Sequence, residues 1–295
     1  MTRGRRRRDR STGRTTNSRP LVTAILVWLA LGSTTLAQER TLLVGVETER
    51  DRFTYHFTNP SSFDTAMLVP HFFEQRYAAD NIWAVATLRY LAGIRWETSG
   101  GATAEHEATG DDYDTFLQPD GTVVVVGTTG GVRMQSWRLG QRGEVGHVGP
   151  VRFSAGYRFR LDRSEFELGH KTVTRNGALA DASDVTTRET TSSQMHQVLI
   201  AVTGSRAVRS RWRVTIGGDL APTTVGRLLV QLPDKYPERD LVFIAKVLGG
   251  TARVSAVSNG RWPLEVSVEG GRTWSYRSAD GLSRDSISVR ISVGR

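Results

Sequence analysis

Apolar and polar side chains alternate one by one over long stretches of this chain, a period of two that belongs to extended strands rather than helices. In VRFSAGYRFRLD, Val151, Phe153, Ala155, Tyr157, Phe159 and Leu161 take one face, and Arg152, Ser154, Gly156, Arg158, Arg160 and Asp162 take the other. SISVRISVGR sets Ile287, Val289, Ile291 and Val293 against Ser286, Ser288, Arg290 and Ser292. In IWAVATLRYLAGIRW, Ile82, Ala84, Ala86, Leu88, Tyr90, Ala92, Ile94 and Trp96 face away from Arg89 and Arg95. Such runs are longer than the five or six residues usual for a sandwich strand.

Ten strands are predicted, at about 41–58, 66–76, 82–97, 132–147, 151–169, 191–204, 211–222, 240–257, 262–277 and 284–294. Tight turns are expected at YAADN (77–81), GHVGP (146–150), SRAVRS (205–210) and SNGR (258–261), the last carrying the Asn-Gly hairpin signal. Longer polar connectors fall at 98–131, 170–190 and 223–239, with shorter ones near 59–65 and 278–283; GTTGG (127–131) is expected to be a flexible turn. An even strand count, short turns at one end and long loops at the other predict an all-β, transmembrane, up-and-down antiparallel barrel. A closed sheet leaves no backbone amide unpaired in hydrocarbon, and it allows apolar residues outside with charges inside. Arg89, Arg95, Arg152, Arg158, Arg160, Arg213 and Arg290 are expected in the lumen, with Glu97, Asp162, Glu265 and Glu269 as partners in a charged plug. Trp83, Trp96, Trp137, Trp212, Trp262 and Trp274 are assigned to interfacial belts. The terminal Val293-Gly294-Arg295 lacks the aromatic residue common at barrel ends, and a soluble β-sandwich is the competing architecture.

The beginning of the chain bears on compartment. Residues 1–37 carry eight arginines, an apolar run LVTAILVWLALG and small residues Thr35 and Ala37, the pattern of a secretory signal cut before Gln38. The domains expected are therefore a signal peptide (1–37) and a barrel (38–295). Eight of the 39 basic residues and one of the 30 acidic ones lie in that leader, leaving 31 against 29. A near-neutral barrel offers no clustered basic face for nucleic acid. No cysteine is present, so an exported chain of this length depends on its core, a closed sheet or lipid for stability.

In TGDDYDTFLQPDG, three carboxylates stand within four residues (Asp111, Asp112 and Asp114) in what is predicted to be the second outward loop. That placement, the AVATLRYLAGIRWETSGG approach, the Asp112-Tyr113-Asp114 spacing followed by the aromatic Phe116, and the AGY in VRFSAGYRFRLDRSEFEL resemble the omptin family, ten-stranded outer-membrane endopeptidases with their site at the extracellular rim. The resemblance implies that Asp112 and Asp114 would face an Asp-x-His couple from the fourth outward loop across an attacking water. Here that loop supplies Asp234, with Tyr236 at the histidine position, and no histidine lies between Gln197 and Arg295. A tyrosine is a poor base at neutral pH.

The expectation is therefore an outer-membrane barrel acting as a surface structural or binding protein with an incomplete protease site. The alternatives are an active omptin-type endopeptidase cleaving at basic residues, and a narrow passive pore. Outer-membrane lipid is the expected surrounding, with lipopolysaccharide contact at the upper rim and a surface peptide or protein as candidate partners. His56, His71 and His147 look like strand or turn positions, and His170 and His196 flank the third outward loop. Glu105-His106-Glu107 would point to alternate faces of an extended chain, so neither metal nor cofactor is expected.

Overall fold

A computed structural model describes residues 40–58, 71–167, 169–185, 188–208, 211–231, 240–275 and 281–295. They form β1 (Arg40–Thr58), β2 (His71–Ala92), β3 (Ile94–Thr103), β4 (His106–Leu117), β5 (Val123–Val148), β6 (Val151–Glu167), β7 (His170–Arg175), β8 (Ala178–Asp184), β9 (Arg188–Val208), β10 (Trp212–Gln231), β11 (Asp240–Ser258), β12 (Leu264–Ser275) and β13 (Gly281–Gly294). All pairings are antiparallel between neighbours, and the ring closes where β1 pairs β13, with Val46 opposite Ile291. β3 and β4 together make one wall strand, each paired with β2 and with β5, so the wall has ten strands. β7 and β8 form a hairpin that continues the sheet from the upper part of β5.

Between the second and fourth wall strands the predicted plan is corrected. YAADN is not a turn: β2 runs unbroken through it, because Tyr77 packs in the core and Asn81 donates to Glu49 Oε2 at 3.1 Å. The reversal comes instead at Gly93, whose φ of 75° suits a residue without a Cβ. The predicted connector 98–131 is mostly strand, and Thr128 to Gly131 of the supposed GTTGG turn pair with Asp112 to Thr109. The 170–190 connector contains the β7–β8 hairpin, and β10 continues to Gln231 past a bulge at Ala221 to Thr224 that accommodates Pro222.

Along β1 the two faces exchange character. At the tight-turn end Leu42, Val44 and Val46 are exposed outside while Glu47, Glu49 and Asp51 are buried inside; further up, Arg50 and Arg52 point outward and Phe53, Tyr55 and Phe57 fill the lumen. The rest of the wall agrees. Exposed Val198, Ile200, Val202, Ile216, Val254, Val268, Ile287, Val289 and Ile291 complete an apolar outer belt, whereas ion pairs such as Arg50 with Asp80 and Arg272 with Asp285 decorate the wall above it. A contiguous exposed apolar belt with polar interior is stable only against lipid. The upper part is built the other way, as a barrel in water with an aromatic core: Phe53 stacks on Tyr77 at 4.7 Å, and Phe57 on Phe243 at 4.5 Å.

Between the aromatic core and the lower lumen lies a layer of buried charge. Arg160 reaches Glu49, Asp51 and Asp162, and Arg284 reaches Asp51 and Asp162. Glu97, Asp162, Glu265 and Glu269 all meet lumenal arginines, as the alternation predicts. Trp83 is a correction: it is not in a belt but fully buried in the lumen, its Nε1 donating to Glu49 and its ring lying between Arg138 at 4.4 Å and Arg160 at 4.9 Å. Trp137, capped by Arg163, and Trp262, capped by Arg295, do face outward near the belt edges.

Candidate active site

The acidic stretch is a strand, not a loop. Asp111 to Phe116 lies in β4, hydrogen-bonded to β2 on one side and β5 on the other. Which carboxylates enter the barrel is decided below it. Between Thr103, paired with Trp83, and Thr109, paired with Ala78, β3 and β4 contain one residue more than β2. This extra residue near Ala104 and Glu105 moves the inward face from odd to even positions. Asp112 therefore shares the lumenal face with Gln75, and Asp114 with Phe73, while Asp111 and Tyr113 point outward and Arg76 stacks 5.2 Å above the Tyr113 ring. Gly110, one step lower on the same face, leaves room for the core: a Cβ there would come within 2.4 Å of the Phe166 ring.

At the top of β2 stands His71. Its Nε2 lies 2.7 Å from Asp114 Oδ1, and its ring stacks on Phe116 at 4.4 Å with planes 12° apart. The histidine is nearly buried and the carboxylate about one third exposed, so the pair sits at the boundary between core and solvent. Below it Gln75 donates to Glu189, which β9 brings in from across the barrel, and Tyr77 donates to Gln75 Oε1 at 3.0 Å. Asp114 at the rim, with Asp112 and the buried Glu189 one step lower at the level of Gln75, makes this side of the upper lumen acidic beside the stacked rings of Phe57, Phe73 and Phe243. The following turn is tied by the Thr122 amide, which donates to Asp120 at 2.9 Å and holds that carboxyl below its usual value.

Asp234 and Tyr236 lie outside the described residues. The strands that flank them are placed: Gln231 donates to Asp240 at 2.8 Å, and Phe243, three residues further along β11, stacks on Phe73, the cross-strand partner of Asp114. The ends of β10 and β11 that flank these residues therefore belong to the wall that meets the His71 and Asp114 wall across the core. Of the other histidines, His170 pairs with Asp184 on the exposed hairpin, and His196 bonds Tyr157 on the outer wall.

No family model matches the sequence, and no curated protein matches it. Solved structures do. The outer membrane protease OmpT from Escherichia coli superposes with a TM-score of 0.57 over 88% of this chain and 98% of its own, at 10% identity. The fold is that of an omptin-type outer-membrane barrel. The translocator domain of the autotransporter NalP from Neisseria meningitidis (11% identity, 94% of each chain, TM-score 0.32) and the β domain of the Bordetella autotransporter BrkA (10%, 84% and 98%, TM-score 0.35) also match. The omptin-type barrel explains why the site lies above the belt: β2 and the β3/β4 strand extend well past the lipid-facing apolar residues.

Sequence reasoning missed His71. With a turn assumed at 77–81, His71 fell in mid-strand far from Asp114; only the continuous β2, antiparallel to β4, brings their ends together. The available signal was Gly93, a better reversal than YAADN because it permits a positive φ.

Proposed function

We propose that this barrel is a cell-surface endopeptidase of the omptin type in which His71, rather than a residue of the fourth outward connector, is the general base. The observation that carries the reading is the 2.7 Å bond between His71 Nε2 and Asp114 Oδ1 at the lumenal rim. Asp114 fixes the ring orientation and favours the tautomer with its proton on Nε2, so Nδ1 can take a proton from water. Asp112, one step along the same face, orients that water. The water oxygen adds to the peptide carbonyl carbon, its proton passes to Nδ1, and the same proton is returned to the departing amine. Asp112 and Asp114 favour a substrate with a cationic side chain near the cleaved bond.

The test is cleavage of fluorogenic peptides containing basic residues by the folded barrel in detergent with lipopolysaccharide. His71→Ala, Asp112→Asn and Asp114→Asn are expected to lower kcat by ~10² to 10⁴ each. Wild-type protein without cleavage above background, or cleavage that survives Asp114→Asn, overturns the proposal. A second reading, a surface-binding barrel without catalysis, is supported by the β7–β8 hairpin, where all of β8 is exposed. Peptide retention that depends on Asp112 and Asp114 without turnover is its signature.

A further inference from the structure

The lower lumen holds a cavity of about 610 Å³ that reaches from Asn259 and Arg213 at the tight-turn end up to Glu49 and Arg160 in mid-barrel. Its carboxylates are already engaged. Glu47 takes both arms of Arg138, Glu97 takes Arg89 and Arg142, Glu265 takes Arg89 and Arg253, and Asp219 accepts from Arg158 and Thr251.

Arginines are left over. Arg290 is 8% exposed, lines the cavity, and has no carboxylate within 4 Å among the described residues. Among the described residues its guanidinium donates only to hydroxyls, Thr87 Oγ1 at 2.5 Å and Ser292 Oγ at 2.9 Å, and it sits in the opposed fields of Arg253 and Arg138 on one hand and Glu265 and Glu47 on the other, both carboxylates being held by other arginines. Arg95 and Arg213 at the mouth also line the cavity without a carboxylate partner among the described residues. Burying a guanidinium beside like charges with no carboxylate in direct contact is costly, and the planar fork of arginine suits two oxygens of one anion.

We propose that the lower lumen is a binding site for a small soluble phosphoryl anion, entered from the tight-turn end and anchored by Arg290, with Arg213 and Arg95 at its mouth. A cavity of this size belongs to the range of small-molecule sites, and its walls supply guanidinium donors to a ligand carrying several oxygens. The site lies below the aromatic core and the Asp51, Arg160, Asp162 and Arg284 layer, so it is separate from the rim, and its test does not depend on peptidase activity.

Titration calorimetry and thermal melting of the detergent-folded barrel with pyrophosphate, compared with chloride at equal ionic strength, decide the matter; glycerol phosphate in a parallel titration tells a free anion from an ester. Saturable binding at one site and a raised melting midpoint are expected. Arg290→Gln should weaken binding roughly ten- to a hundredfold. Because that variant could fold poorly, Thr87→Glu is the companion: a built-in carboxylate beside Arg290 should abolish the phosphate response while the barrel keeps its heat-modifiable mobility and melts at or above the wild-type midpoint in phosphate-free buffer. Arg50→Gln on the outer wall should bind as wild type. Absence of saturable heat, or equal affinity in wild type, Arg290→Gln and Thr87→Glu, overturns the site.

Discussion

Asp51 is fully buried, and the two arginines that reach it come from distant parts of the chain, Arg284 on β13 and Arg160 on β6. Removing the carboxylate leaves both cations without part of their compensation, so Asp51→Ala should destabilise the folded barrel by about 3–5 kcal/mol, read from urea titration in lipid vesicles. Asp80, whose partner Arg50 is as exposed as itself, is the control; Asp80→Ala should change stability by less than about 1 kcal/mol. At the rim the same residue-level logic separates two assignments of the base. If His71 is the base, Tyr236→Ala should leave kcat within several-fold, whereas Phe116→Ala, which removes the ring stacked on His71, should lower kcat more than it changes KM. A Tyr236→Ala variant as inactive as His71→Ala would return the base to the fourth connector.

For the strands, the test of the wall is which face tolerates charge. Val289→Arg should cost ~2 to 4 kcal/mol near the bilayer midplane, while Ser154→Arg, directed into the lower cavity, should be milder. Equal damage at both positions would refute the assignment of faces. An epitope placed at Asn176-Gly177, the tip of the β7–β8 hairpin, should label intact cells; one at Asn259-Gly260 should be hidden until the membrane is opened. Legibility in the sequence follows the same division. The lower parts of β6 (151–162) and β13 (286–293) could be drawn from alternation alone, because there every outward position is apolar and every inward one polar or small. β2 to β4 could not: their upper halves reverse the pattern, with Arg76 and Asp80 outside and Phe73 and Tyr77 inside, and a bulge shifts β4 by one residue. The acidic half of the site was visible as Asp112 and Asp114, but the contact with His71 depends on which residues the strand register sets side by side, and local spacing does not encode that.

At the scale of the whole molecule, export and folding can be checked together. Residues 1–39 are outside the described region, and the leader remains a sequence-based expectation: N-terminal sequencing of the membrane-extracted protein should begin at Gln38, and retention of the arginines would refute it. The folded form should migrate differently from the boiled form on a gel, as a closed barrel resists detergent unfolding without heat. The exchange of faces along β1 has a calorimetric consequence. Unfolding into micelles leaves the outer belt of the lower barrel covered by detergent, and its polar lumen exposes charge, which lowers heat capacity; only the aromatic core above brings large apolar area into water. The heat-capacity increment of this chain should therefore fall far short of that of a water-soluble protein of equal length, and what remains of it should shrink when the upper core is trimmed, as in a Phe53→Ala, Phe243→Ala double variant, while changes in the belt leave it untouched.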